Sequence, residues 1–233
     1  LKISILISGV EKSDTKFQHD ENINRVILDQ SVKMLNGGFN NGSFEHCYSL
    51  TEVILPNSVT LIGGGSFNAC HNLKTIMIPD SVLKIEGGSF AECYSLTEIT
   101  IPPSVETIDD YSFTKCTGLK KIIMNPYKTR NVNRNAFVEC HALNHFEFSS
   151  TVEKITVYNF DNLWNFIEIT IPDTVKSIDN DSFSKCSFLE RLIIPSSVKS
   201  LGNIFNQNGK KLHHLTIDPV QTQINAHAFD NCP

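Results

Sequence analysis

Ten phenylalanines recur along this 233-residue chain at nearly constant spacing: Phe17, Phe44, Phe67, Phe90, Phe113, Phe137, Phe160, Phe183, Phe205 and Phe229. The intervals are 27, 23, 23, 23, 24, 23, 23, 22 and 24 residues. A fixed period of this size is the signature of an array in which one short unit is repeated and stacked. It overrides the usual expectation of one or two globular domains for a chain of this length.

One unit, from Phe90, reads F-A-E-C-Y-S-L-T-E-I-T-I-P-P-S-V-E-T-I-D-D-Y-S. The unit from Phe67 reads F-N-A-C-H-N-L-K-T-I-M-I-P-D-S-V-L-K-I-E-G-G-S. In Leu96–Ile101 the apolar Ile99 and Ile101 alternate around Thr100. Period two predicts a short strand with one buried face. Pro102 follows, lacks an N–H, and ends the pairing. Val105 and Ile108, three residues apart, predict a helical or 3-10 return segment. Asp109 to Ser112 then form a polar corner before Phe113 re-enters the core. A lone unit cannot bury its apolar face. Stacked units bury it jointly, with parallel strands about 4.8 Å apart. The predicted fold class is therefore an α/β-type solenoid with one short parallel strand per repeat and 3-10 or helical returns.

A Ser or Thr precedes the Val in most units, at Ser31, Ser58, Ser81, Ser104, Thr151, Thr174 and Ser197. Its hydroxyl either bonds backbone N–H groups freed at the turn, as a ladder between coils, or simply tolerates the turn.

The frame C-x-x-L-x-x-I-x-I-P-x-S-V-x-x-I followed by S/A-F resembles the BspA-like leucine-rich repeat family. It is seen in full or nearly so over 44–112 and 165–201, and in worn form over about 17–233. That resemblance implies a leucine-rich-repeat arc. It also implies a surface protein that binds host matrix or plasma proteins; a fold alone does not dictate function. We read 1–233 as a single repeat domain. Residues 1–43 form degenerate first coils or a cap, 44–228 the regular repeats, and 229–233 a cut repeat.

Cysteines stand at 47, 70, 93, 116, 140, 186 and 232, each three residues after a repeat Phe. Between Cys47 and Cys232, Leu163 and Asn208 fill the two vacant slots. A small buried position explains all seven. Zinc sites want closely spaced Cys pairs, and none occurs. Seven equivalent thiols also argue against a unique nucleophile. Neither a cofactor nor a metal is expected, and the chain does not read as an enzyme.

The outward strand positions form two columns. The residue before the first Ile reads Glu52, Thr75, Glu98, Lys121, His145, Glu168, Arg191 and His214. The residue between the two reads Ile54, Met77, Thr100, Ile123, Glu147, Thr170, Ile193 and Thr216. Glu98 beside Lys121, and Glu168 beside Arg191, are placed to pair across neighbouring strands. The stripe is either a solvated face or a protein-binding surface. Ile54, Met77, Ile123 and Ile193 favour the second, because apolar side chains there have no core to serve. A secondary candidate lies where the frame breaks, at Tyr127, Lys128, Arg130 and Arg134, with the lone Trp164 further on. It is either a grafted site or drift in a tolerant loop.

A formal net charge of −5 does not suggest a nucleic-acid partner. The chain holds no apolar run near the ~18 residues of a membrane helix, so no membrane insertion is expected of this segment. Asn41-Gly-Ser43 and Asn180-Asp-Ser182 fit the N-glycosylation pattern. Two functions stay open: a cell-surface or secreted adhesin, and a cytoplasmic scaffold with the same fold, which free thiols would suit.

Overall fold

A computed structural model describes residues 3–7, 17–35, 42–125, 128–129, 131–133, 135–155, 166–184, 186–205, 209–217, 223–225 and 227–229. In chain order its strands are β1 (Ile3–Ile7), β2 (Ile23–Leu28), β3 (Glu52–Ile54), β4 (Leu61–Ile62), β5 (Thr75–Ile76) and β6 (Lys84–Ile85). They continue as β7 (Glu98–Ile101), β8 (Thr107–Ile108), β9 (Lys121–Met124), β10 (Asn131–Val132), β11 (His145–Phe148) and β12 (Lys154–Ile155). The last are β13 (Glu168–Thr170), β14 (Ser177–Ile178), β15 (Arg191–Ile194), β16 (Ser200–Leu201), β17 (His214–Ile217) and β18 (Gln223–Ile224). The chain divides into two compact units, residues 1–122 with 128–143, and 123–127 with 144–233.

From β3 onward each coil carries two parallel strands, not one. In the first unit β1, β2, β3 and β5 pair in order, while β4, β6, β8 and β10 form a second sheet from the return legs. In the second unit β11, β13, β15 and β17 stack in register, and β12, β14, β16 and β18 repeat the return sheet. No helix occurs among the described residues. The α/β class and the 3-10 or helical returns expected from the sequence are thus corrected to a parallel-strand β-solenoid. The physical reason is visible at Val105. Its N–H closes one tight turn on the Pro102 carbonyl at 3.1 Å, and the chain then extends. Glu106 N–H bonds the Leu83 carbonyl of the preceding coil at 2.8 Å. A spacing of three between Val and Ile is therefore a turn plus a strand. The partners lie in the neighbouring coil, where single-unit periodicity cannot see them. Val and Ile also suit a pleated, half-buried surface.

The corner is a third hydrogen-bonded side. Phe67 N–H bonds the Ser89 carbonyl at 2.7 Å, and Ala69 N–H bonds the Ala91 carbonyl at 2.8 Å. These bonds run toward the following coil, whereas those at the ends of the return strand, Glu106 N–H to Leu83 O at 2.8 Å and Asp109 N–H to Ile85 O at 3.0 Å, run to the preceding one. To aim both N–H groups along the stack, the residues two before and two after Phe adopt left-handed backbone. After Phe these are His19, His46, Ala69, Glu92, Lys115 and Glu139, with φ between 56° and 61°. Before Phe they are Gly65, Gly88, Tyr111 and Asp181. Gly88 sits at φ 69°, and a Cβ there would find its nearest neighbour at 4.0 Å. Gly88→Ala is therefore expected to cost only the backbone penalty, about 1 kcal/mol. At Gly118 a Cβ would lie 2.2 Å from the Tyr94 carbonyl oxygen, so Gly118→Ala must displace backbone and cost more. Urea unfolding of both variants checks the order.

The core is a set of ladders. Phe17, Phe44, Phe67, Phe90, Phe113 and Phe137 stack in sequence in the first unit. Ring centroids are 5.0–5.9 Å apart and interplanar angles 7–16°. In the second unit Phe183 and Phe205 are tilted by 41° at 6.1 Å. The Ser before Phe is wholly buried and donates to carbonyls at the coil corner, as from Ser66 Oγ to Gly63 O at 2.6 Å and from Ser112 Oγ to Asp109 O at 2.6 Å.

The Ser/Thr before Val does bind coil to coil, but as a donor. Ser58, Ser81 and Thr174 donate to the Val carbonyl of the preceding coil, Val32, Val59 and Val152, at 2.6–2.7 Å. The expected partner, a freed N–H, is not the one used. Ser104 and Ser197 hydroxyls are buried without a partner among the described residues.

Candidate functional site

On the strand face of the first unit, Val53, Ile76 and Ile99 point inward and are buried, while Glu52, Ile54, Thr75, Met77, Glu98 and Thr100 are exposed. Period two alone decides this. Met77 is 83% exposed and Ile54 40%. Lys121 is half-buried, its Nζ 3.8 Å from Glu98 Oε2. The column starts earlier than the sequence frame indicated. In β2 and β1, Ile27 aligns with Ile54, and Leu6 aligns with Ile27. Arg25 aligns with Glu52 and pairs with it at 2.9 Å. The missed signal was the alternation in Ile23–Leu28, hidden because Asp29 stands where the frame has Pro.

In the second unit the same columns hold Ile123, His145, Glu147, Glu168 and Thr170, all half-buried, and Arg191, Ile193, His214 and Thr216, all exposed. Ile193 is 58% exposed. His145 Nε2 lies 2.8 Å from the Thr170 hydroxyl. Glu168 and Arg191 align in register, yet no ion pair between them forms among the described residues. Of the secondary candidates, Lys128 is exposed, and Tyr127, Arg130, Arg134 and Trp164 lie outside the described residues.

The cysteine slot faces inward. Cys47, Cys70, Cys93, Cys116, Cys140 and Cys186 are unpaired. Five thiols donate to the Phe carbonyl of the preceding coil: Cys47 to Phe17 at 3.0 Å, Cys70 to Phe44 at 3.1 Å, Cys93 to Phe67 at 3.3 Å, Cys116 to Phe90 at 3.0 Å and Cys140 to Phe113 at 2.9 Å. A small side chain able to donate weakly is what the slot selects. Burial pushes the Cys47 and Cys186 thiols up to about 12, and raises Cys70 and Cys93 too. Cys232 lies outside the described residues.

The residue after Cys points outward. Tyr48, His71 and Tyr94 stack in line, with centroids 4.8 and 4.5 Å apart, and His46 packs edge-on against Tyr48. The ring faces between them are covered by one another, while Tyr94 at the end of the stack stays exposed. Beside them Glu92 binds Lys115 at 3.0 Å, and that ammonium, with the Tyr94 hydroxyl, holds its carboxyl below the usual range. Among the described residues no group of three or more His, Cys, Asp or Glu is placed to hold a metal ion. No helix there is long and apolar enough to cross a membrane. The Asn180 sequon serves the fold: its Oδ1 accepts the Asn203 N–H at 2.8 Å, and Ser182 is buried. Asn41 lies outside the described residues.

A sequence profile described as "BspA type Leucine rich repeat region" matches residues 37–129 and 123–233, in six copies. The chain belongs to the BspA-type leucine-rich repeat family. Its fold is similar to a leucine-rich repeat protein of Bacteroides ovatus, at 20% identity and a TM-score of 0.55, covering 99% of this chain and 73% of that one. Weaker similarity extends to a leucine-rich repeat protein of T. pallidum, with 22% identity, a TM-score of 0.45, and 81% and 78% of the two chains covered. It extends also to a leucine rich cell surface protein of Faecalibacterium prausnitzii, with 25% identity, a TM-score of 0.35, and 89% and 62% covered. No curated protein matches the sequence. The BspA-type fold is a general protein-interaction scaffold, and the cysteine, serine and phenylalanine ladders above are its internal fastenings.

Proposed function

We propose that this BspA-type chain is a protein-binding module that engages its partner through the strand face, and that it works as an adhesin at the cell surface or outside the cell. The partner class is a host matrix or plasma protein. The observation that carries the reading is the exposure of Ile54, Met77 and Ile193 on that face, where they pack against no core. The binding residues are those of the two columns, taken unit by unit: Glu52, Ile54, Thr75, Met77, Glu98, Thr100 and Lys121 in the first, and Ile123, His145, Glu147, Glu168, Thr170, Arg191, Ile193, His214 and Thr216 in the second. The role is binding and not catalysis, since the repeat accounts for the candidate nucleophiles without chemistry.

The test is a pull-down from matrix and serum proteins with the parent and with a variant carrying Ile54→Glu, Met77→Glu and Ile193→Glu. The expected result is capture by the parent and at least tenfold loss in a variant with unchanged circular dichroism. Equal capture by both would remove the face from consideration. A second reading, an intracellular scaffold, is favoured by one observation: the six described cysteines are free thiols, as in a reducing compartment. A pull-down from cytosol in place of serum separates the two.

A further inference from the structure

The first unit carries a feature that the columns of the second do not share. Leu6, Ile27, Ile54 and Met77 follow one another on four successive coils as an uninterrupted apolar ridge. The ridge is one residue wide. The adjacent column is polar, with Arg25, Glu52, Thr75 and Glu98. An occupant crossing the ridge would meet a single apolar side chain, so the ridge rewards only a partner that runs along the stacking axis.

Period decides the partner's conformation. Coils repeat at about 4.8 Å, the spacing of hydrogen-bonded strands. An α-helix with apolar residues alternately three and four apart presents one every ~5.2 Å, from its 1.5 Å rise. Over four coils that mismatch accumulates to roughly 1.3 Å, within the reach of side-chain adjustment. An extended peptide presents same-side residues every ~6.8 Å and slips by about 6 Å, more than a whole coil. The apolar area matches a helix better than a second copy. With Leu6 66%, Ile54 40% and Met77 83% exposed, the ridge offers roughly 350 Å², against the ~800 Å² per partner of a stable interface. A single helix has a footprint of that size. Exposed charges bracket the most exposed residue on its own coil: Lys74 directly before β5, and Asp80 in the turn beyond Pro79, four residues past the end of β5.

Resting on the reading of the strand face as a binding surface, we infer that the Leu6–Ile27–Ile54–Met77 ridge docks an amphipathic α-helix of a partner protein. The helix lies along the stack with one apolar side chain per coil, carboxylates facing Lys74 and a base facing Asp80. This is helix-in-groove recognition carried out on a ridge.

The probe is a 14-residue labelled helical peptide with leucines at positions 2, 5, 9 and 12, glutamates on one flank and lysines on the other. One control scrambles the same composition around the helix, and another alternates leucine and charge as an extended strand. Fluorescence anisotropy should show the helix binding at least tenfold tighter than either control. Met77→Glu should remove at least tenfold of that affinity. Met77 is largely exposed, so this variant keeps its fold, which circular dichroism verifies. Swapping the two charged flanks of the peptide should weaken binding several-fold. Equal binding of helix and scramble, tighter binding of the extended peptide, or indifference to Met77→Glu overturns the inference. A partner captured in the pull-down that the helical peptide fails to displace overturns the helix while leaving the strand face as a binding site.

Discussion

Phe90→Ala is expected to destabilise the first unit by about 3–5 kcal/mol, the usual range for deleting a buried aromatic ring. Phe90 is fully buried and stacks on two neighbours, Phe67 at 5.3 Å and Phe113 at 5.0 Å, so its loss opens a cavity inside a continuous ladder. The ring cannot be replaced by collapse. The coil on either side is held at strand spacing by hydrogen bonds on three sides, among them Phe90 N–H to Ser112 O at 2.7 Å. Stability in a stacked array is a sum of unit and nearest-neighbour terms. The damage should therefore be local, with amide exchange accelerating most in residues 67–113. Urea unfolding gives the size, and exchange gives the place. A loss under 1 kcal/mol, or exchange accelerated uniformly along the chain, would show that the ladder is not what couples the coils.

Raising the pH from 8 to 11 is expected to unfold the chain. Unfolded thiols titrate near 9, whereas burial holds Cys47 and Cys186 to about 12 in the fold. The neutral thiol is the favoured folded form, so its contribution is fully present below about pH 9. Above that the unfolded chain has given up a proton that the folded chain keeps. Each such thiol then lowers stability by about 1.4 kcal/mol per pH unit until its folded value is reached. Cys70 and Cys93 are raised in the same direction by burial. Several such thiols together remove on the order of 5 kcal/mol per pH unit, comparable to the whole stability of a domain. A Cys70→Ala, Cys93→Ala variant should shift the alkaline midpoint upward by several tenths of a pH unit. An unchanged midpoint would place the alkaline weakness in other groups.

The two effects have one origin, a side chain repeated at the same slot of every coil. Repetition is also why so much was legible in advance. The interval between phenylalanines names the coil length, and Pro102 after Ile101 names the strand end. Cys70 beside His71 reads correctly as one residue inside and one outside: the thiol reaches inward to Phe44 O, while the His71 ring stacks on Tyr94 outside the core. The outward columns follow from the same rule, so Met77 could be placed on the surface from its position alone.

What was not legible lies between coils. The Val105–Ile108 spacing fits a helical turn as well as a tight turn plus a strand. Only the bond from Glu106 N–H to Leu83 O, to a residue 23 positions earlier, decides for the strand. The thiol bond from Cys70 to Phe44 O, and the direction of the Ser81 bond to Val59 O, are likewise contacts with the neighbouring coil. The ridge was hidden for the same reason: Leu6 and Ile27 belong to coils whose motif is worn, and only pairing in register aligns them with Ile54. Sequence by itself determined the repeat, its period, and which side chains face in or out, because these are local consequences of alternation and turn chemistry. Tertiary structure alone decided that the return leg is a second sheet, that the corner is a third hydrogen-bonded side, and that four apolar residues form one continuous ridge. Each of those is a hydrogen bond or an alignment between segments about 23 residues apart, and no pattern within one unit can encode it.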